Sequence, residues 1–419
     1  MRRRTAELVL LFPPILLLTV LELTLAVEKK QSLYESLIAS GGFGLLFLGS
    51  HVIFRLTKSD ADSLLLPIVA YLSSIGLAFN LRLHPSTYLH QYAWVALGLV
   101  IAVLIGASRL DLWWLSRFKY TFALVGFLLL LATALFGHEV NGARLWLGFG
   151  PFEFQTTELM KVILVIFMAG YLEERRELLT LAEHRWHGIR IPPLEYFGPL
   201  GVLWLASLLS LLWQRDLGGT LLLLGVALAM LYVATERLSY VLGGIGLFLI
   251  NVLITYHFFA YVRTRIDVWF DPWHYAHQQG YQIVQALYAV SSGGIFGPGI
   301  GQGYPGFIPA VYTDFVFAAI SEELGLLGGF AVLTAFVLLV ARTIRIALRC
   351  SGTFEQLLAV GLAALLALQC LVIVAGNLEV IPLTGITLPF ISYGGSSMII
   401  NFLTIGMLLR LSSSQLAQS

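Results

Sequence analysis

Long apolar runs, separated by short polar joints, fill most of this chain. Runs of about 18 residues or more are long enough to cross a bilayer as helices. The pattern predicts twelve spans, at 8–27, 37–54, 63–80, 91–107, 120–137, 157–172, 197–213, 217–234, 239–259, 314–341, 355–377 and 391–410. Two stretches depart from it. Residues 265–328 and 380–411 are dense in Gly, Pro and Tyr, although they lie among spans. Hydrocarbon tolerates irregular backbone only where protein buries it or a watery cavity hydrates it. The working site is therefore expected there.

Composition agrees with the pattern. Of 419 residues 58% are hydrophobic and 12% charged, against about 25% charged in a soluble globular protein. The expected fold class is an all-α polytopic membrane protein with a large outer loop at 260–313. Lys and Arg set its orientation, because they collect in cytoplasmic loops. With the N-terminus inside, 17 of them fall on cytoplasmic segments and 7 on outer ones, so both termini are expected in the cytoplasm. The first apolar run follows MRRR but lacks a small-residue cleavage site, and it reads as a retained span. Residues 173–196 form a basic cytoplasmic loop. A net charge of +1, with no basic arm or acidic tail, gives no sign of a nucleic-acid partner. Cys350 and Cys370 suit neither a disulfide framework nor a CxxC site.

Polar groups within or beside spans are costly, and many are functional. Glu158 and Lys161 are three apart on one helix, hence on one face; they form either a packing pair or part of a site. Asp216 opens a helix, where it can cap the amides and also present a carboxylate at a cavity mouth. The outer loop carries Arg263, Arg265, Asp267, Asp271, His274, Tyr275, His277 and Tyr281, interleaved with Trp269, Phe270 and Trp273. Cations beside aromatics suit an amphiphile with an anionic head group, since Arg offers phosphate a planar fork of donors. The Trp residues also fit a plain interfacial belt. Asp271, His274 and His277, at i, i+3, i+6, could hold a divalent cation, although solvated loop histidines are the commoner case. The glycine run 293–303 could admit a ligand or serve as a tightly packed turn. Asp314, Glu322 and Glu323 lie at the start of the next predicted helix, where carboxylates favour the helix dipole.

Five blocks in order resemble the SEDS family, the shape, elongation, division and sporulation proteins RodA, FtsW and SpoVE. They are NGARLWLGFGPFEFQTTELMK, QRDLGGT, GYQIVQALYAVSSGGIFGPGIGQG, VYTDFVFAAISEELGLLG and IPLTGITLPFISYGGSSMIINF. The resemblance spans about 140–411, with Thr156 where the family usually has Pro. It implies a lipid II polymerase, a peptidoglycan glycosyltransferase at the outer face of the bacterial cytoplasmic membrane, working beside a class B penicillin-binding transpeptidase. Its blocks supply Arg144, Glu158, Lys161 and Asp216 as site residues; with them Arg215, Arg263, Arg265, Gln282, Asp314, Glu323 and Ser392 are expected to bind substrate. It also implies a division into N-terminal helices over 1–119, about two of them additional, a core over 120–412 and a tail over 413–419.

One departure bears on chemistry. The segment RIDVWFDPWHYAHQQGYQ places Tyr275 where the family carries the aspartate it is thought to need for glycosyl transfer. Counting from Arg265 or back from Gly280 gives the same position. A tyrosine hydroxyl ordinarily titrates near pH ~10 and is a poor base at neutral pH. The expected substitutes are Asp271, partly desolvated beside Phe270, and then Asp216. Two other readings remain: a SEDS-like scaffold without transferase activity, and a flippase for the lipid-linked precursor. The polar positions cluster on the outer side, which argues against a flippase. Two geometric expectations follow. Arg144, Arg215, Arg263 and Arg265 should converge around an outer cavity. Residues 381–397 should enter the last span as extended or broken chain, abutting the 293–303 loop.

Overall fold

The computed structural model describes residues 2–28, 32–140, 143–149, 152–180, 184–186, 189–191, 201 and 216–414. It is mostly helical. The helices are α1 (Arg2–Glu28), α2 (Leu33–Leu56), α3 (Leu65–Leu83), α4 (Tyr88–Ala107), α5 (Trp114–Arg117), α6 (Lys119–Phe136), α7 (Thr156–Thr180), α8 (Leu217–Thr235), α9 (Leu238–Phe258), α10 (Ala260–Phe270), α11 (Tyr281–Ser292), α12 (Val316–Glu323), α13 (Gly325–Ala347), α14 (Thr353–Asn377) and α15 (Gly395–Ser414). Among the described residues, 10 helices are long and apolar enough to cross a membrane. The expected span 157–172 lies inside α7, whose charges Glu158, Lys161 and Glu173–Arg176 keep it outside that group. The expected span 197–213 falls, apart from Gly201, outside the described residues.

The chain divides into two compact units. The first comprises residues 1–110, 267–342 and 369–419. Here α4 and α15 approach closely because small residues line their contact. A Cβ added to Gly98 would lie 2.6 Å from the Phe402 ring, and one added to Gly406 would lie 2.9 Å from the Ala102 Cα. Buried polar groups tie α1 to its neighbours: the Tyr88 hydroxyl donates to Glu22 at 2.5 Å, and Glu7 pairs with His51 at 2.9 Å.

The second unit comprises residues 111–266 and 343–368. The first family-like block supplies a three-stranded antiparallel sheet, β1 (His138–Val140), β2 (Ala143–Phe149) and β3 (Phe152–Gln155). The short apolar-rich run RLWLGF and the Gly-Pro that follows it are the sequence signals for this meander. The sheet leads directly into α7, where Thr133 and Thr156 hydroxyls meet at 2.7 Å. A short hairpin, β4 (His184–Trp186) and β5 (Ile189–Ile191), falls in the basic loop.

One expected span is corrected. Residues 314–341 are two helices, with a break at Leu324–Gly325 between α12 and α13. Gly325 adopts φ 67°, a left-handed conformation that glycine enters without strain. The break lets the 293–297 turn lie directly on the helix ends. Gly297 N–H donates to the Gly293 carbonyl at 2.9 Å, and Gly299 N–H donates to the Glu323 carbonyl at 2.9 Å.

A Cβ on Gly325 would come within 2.5 Å of the Ile295 carbonyl oxygen, on a backbone that already costs a non-glycine residue about 1–3 kcal/mol. Gly325→Ala should therefore lower the thermal unfolding midpoint clearly. Gly306→Ala, where nothing lies within 4 Å, should leave it almost unchanged. Equal melting curves for the two variants would refute this account of the break.

Candidate functional site

In the second unit, QRDLGGT places Asp216 as the N-cap of α8. Its Oδ1 accepts from Gly219 N–H at 2.7 Å. Glycine is needed there because a Cβ at 219 would meet the carboxylate, 2.8 Å from Cγ. The carboxyl is buried, and desolvation raises its pKa above the ordinary aspartate value. The Gly219 amide, Arg265 and Lys161 pull it back down, while Glu158 adds to the rise. Four expected site residues thus share one electrostatic neighbourhood. Lys161 Nζ lies 2.7 Å from Glu158 Oε2, both side chains almost fully buried. Their approach is an ion pair whose angles leave that oxygen without a hydrogen bond. The Arg265 guanidinium also stacks on the Tyr261 ring, at 4.6 Å from the centroid.

Arg263 behaves differently. It is exposed and donates to the His257 carbonyl at 2.8 Å and the Tyr256 carbonyl at 3.3 Å. It thereby satisfies orphan carbonyls at the C-terminus of α9. Two positions apart on one helix, Arg263 and Arg265 face different ways. Arg144 sits on β2, in register with Glu139, and Arg215 lies outside the described residues. Of the four arginines expected to converge, the structure places Arg265 beside Asp216 and commits Arg263 to a helix end.

In the first unit, Glu323 is fully buried at the end of α12. Its Oε1 accepts from Arg82 Nε at 2.9 Å and its Oε2 from Gly301 N–H at 2.9 Å. Arg82 also donates to the carbonyls of Gly301 at 3.2 Å and Gly303 at 2.8 Å. The neighbouring Glu322 accepts from Tyr304 N–H at 2.7 Å. The glycine loop is therefore stapled to two carboxylates and one cation. Arg82 was missing from the expected site residues. The signal was its place at the end of an apolar helix, where an arginine needs a partner. Burial raises the Glu323 pKa, with the Gly301 amide and Arg82 opposing the rise.

The remaining expected residues bind protein groups. Gln282 donates to the Pro309 carbonyl at 3.3 Å. The Asp314 carbonyl accepts from Asn377 at 2.8 Å, whose Oδ1 in turn accepts from Ala318 N–H. Ser392 accepts from Leu388 N–H at 2.9 Å, and its carbonyl accepts from Gln91. Residues 381–394 are non-helical before α15 begins, as expected. Their backbone packs on Gly76, where a Cβ would lie 2.6 Å from the Phe390 carbonyl oxygen, and on Tyr312, whose carbonyl takes the Tyr393 N–H. The glycine loop packs instead on α12 and Arg82.

Asp271 is exposed, and its Oδ1 accepts from His274 N–H at 3.1 Å. It caps a turn through 272–280, in which Tyr275 is half-buried. Phe270 beside it is 76% exposed and gives it no protein cover. Among the described residues no three His, Cys, Asp or Glu side chains gather as a metal-binding group, and Asp271, His274 and His277 are no exception.

A family model described as a cell cycle protein, FtsW/RodA/SpoVE, matches residues 55–416. The chain belongs to this family. It is 37% identical over 425 residues to a peptidoglycan glycosyltransferase RodA from Mycobacterium leprae, covering 98% of this chain and 91% of that protein. A probable peptidoglycan glycosyltransferase FtsW from Legionella pneumophila is 31% identical, with 92% of each chain covered. Among solved structures, a chain from a peptidoglycan synthase complex that coordinates polymerization and crosslinking superposes with a TM-score of 0.70 at 28% identity, covering 85% of this chain and 98% of that one. The rod shape determining protein RodA of Thermus thermophilus gives 0.62 at 27% identity, covering 85% and 97%. The family assignment fits a multi-span membrane protein.

Replacing Arg82 with Ala would strand a buried carboxylate, a loss of about 3–5 kcal/mol. Adding Glu323→Gln should recover most of it. Because the folded Glu323 pKa is raised from 4.5, the folded chain holds that proton more tightly than the unfolded chain does. Its contribution to stability is full below pH 4.5 and is lost as pH rises through the folded value. Thermal unfolding from pH 4 to 9 should show this decline in the wild type and a flatter profile in Glu323→Gln. Parallel profiles would contradict it.

Proposed function

We propose that the chain is a peptidoglycan glycosyltransferase that polymerises lipid II at the outer face of the bacterial cytoplasmic membrane, beside a class B penicillin-binding transpeptidase. The observation that carries this reading is the buried Asp216 with Arg265, Lys161 and Glu158 around it, in a chain related over nearly its whole length to a peptidoglycan glycosyltransferase. Both termini lie in the cytoplasm on this reading, consistent with the 17 to 7 distribution of Lys and Arg.

Chain growth requires the acceptor sugar's 4-hydroxyl to lose its proton as the oxygen attacks the donor's anomeric carbon. The bond from that carbon to the undecaprenyl diphosphate breaks, and the diphosphate leaves with the electron pair. The base needs a pKa near the working pH. Burial moves Asp216 in that direction. Asp271 is exposed and engaged in a turn, so we rank Asp216 first and Asp271 second. Arg265 and Lys161 would stabilise charge on the departing diphosphate. Glu158 holds Lys161 in place. A second reading, a scaffold that binds the precursor without polymerising it, is favoured by one observation only, the tyrosine at position 275.

Purified protein with its cognate transpeptidase and lipid II distinguishes these readings by gel analysis of glycan strands. Asp216→Asn keeps an N-cap and should abolish strand formation with the fold intact; Asp271→Asn should retain it. Arg265→Ala should weaken lipid II binding by about 1.5–3 kcal/mol, the worth of one charge-assisted contact. Full activity in Asp216→Asn would remove it from the mechanism. A wild type that makes no strands, while Tyr275→Asp does, would establish the scaffold reading.

A further inference from the structure

The turn at 293–297 projects two large apolar side chains away from the protein. Ile295 is 61% exposed and Phe296 77% exposed. In an aqueous loop such a pair has no evident purpose. Its backbone is the informative part. Leu326 N–H donates to the Gly294 carbonyl at 2.9 Å, and Leu327 N–H donates to the Ile295 carbonyl at 3.1 Å. These are first-turn amides of α13, which have no partner within their own helix. In water they could be solvated; within hydrocarbon they must be satisfied by protein.

Depth can be reckoned along α13. Arg342 lies near its far end and pairs with Asp62 at 2.6 Å. From Arg342 to Leu326 the helix rises about 24 Å, at ~1.5 Å per residue. The hydrocarbon core is about 30 Å thick. With the Arg342–Asp62 pair at one boundary, Leu326 lies several ångströms inside the other. The exposed side chains of Leu326, Leu327 and Phe330 continue the same apolar surface down the span. The tip is held at that depth by the turn's own bonds to α13.

We propose that the 293–297 turn is seated in the outer leaflet, with Ile295 and Phe296 inserted among lipid acyl chains. The turn thus anchors the outer loop to the membrane, and the lipid supplies the cover that the protein does not. This assignment is independent of the transferase reading.

The test places a nitroxide at Phe296→Cys, in full-length protein with Cys350→Ser and Cys370→Ala, reconstituted in phosphatidylglycerol–phosphatidylethanolamine nanodiscs. Phe330→Cys provides a lipid standard and Asp60→Cys a water standard. Collision with oxygen should exceed collision with a water-soluble nickel chelate at position 296 by several-fold, as at 330. A ratio like that at 60 would overturn the proposal. So would shielding from both reagents, which would mean that protein covers the tip. A diazirine-bearing phospholipid with the unmodified protein gives a second readout. Adducts on the peptide containing Ile295 and Phe296 are expected. Their absence, with adducts present on Leu326–Phe330, would also overturn the proposal.

Discussion

Backbone hydrogen bonding at the break between α12 and α13 governs the first unit. Interrupting a helix at the membrane edge frees carbonyls at one end and amides at the other, and each must find a partner. The turn at 293–299 supplies both kinds: the Gly299 amide takes the Glu323 carbonyl, and the Gly294 and Ile295 carbonyls take the Leu326 and Leu327 amides. Backbone can reach backbone only if no Cβ stands between, which accounts for glycine at 293, 297 and 325. Arg82 then closes the structure, linking the 301 and 303 carbonyls to the Glu323 carboxylate at the end of α12.

The two buried carboxylates differ in how they are used. Both oxygens of Glu323 accept from named donors, one an arginine and one an amide. Its charge is committed to holding the loop, and desolvation still outweighs those donors. Asp216 also stays above its ordinary range despite an amide and two nearby cations. It opens a helix from a position where a proton could be taken up, and its neighbours Arg265 and Lys161 are charges that a diphosphate would seek. On the proposed reading Glu323 is architectural and Asp216 chemical, the one closing its helix and the other opening its own.

Much of the fold was legible because lipid imposes one rule on sequence, and apolar runs of span length follow it. The non-helical 381–394 segment was legible for the converse reason: Pro382, Pro389 and the Gly394–Gly395 pair cannot sustain a span. The break at Gly325 was not, since LGLLGGF continues the apolar run and only the turn packed against it requires the left-handed glycine. The β1–β3 sheet was not legible, since RLWLGF carries no period-two alternation. Arg82 was hidden by distance in sequence, 241 residues from the carboxylate it pairs with. No local pattern carries that pairing. The capping role of Arg263 was likewise invisible, because it depends on where α9 ends.

Tyr275 sets the remaining energetic question. A well-placed general base is worth about 10²–10⁴-fold in rate, and cations at the leaving group contribute separately. An exposed aspartate four residues away has the mobility to approach a hydroxyl. A buried aspartate with raised affinity has the reverse properties: its position is fixed, and substrate must come to it. Helix capping fixes Asp216 at the mouth of α8, and the Glu158–Lys161 pair keeps a cation in its neighbourhood. A site built this way trades the reach of a loop base for preorganisation, and preorganised charge usually contributes more to catalysis than reach does. That balance favours transfer chemistry at Asp216 over a chain that has kept the whole cluster and lost the reaction.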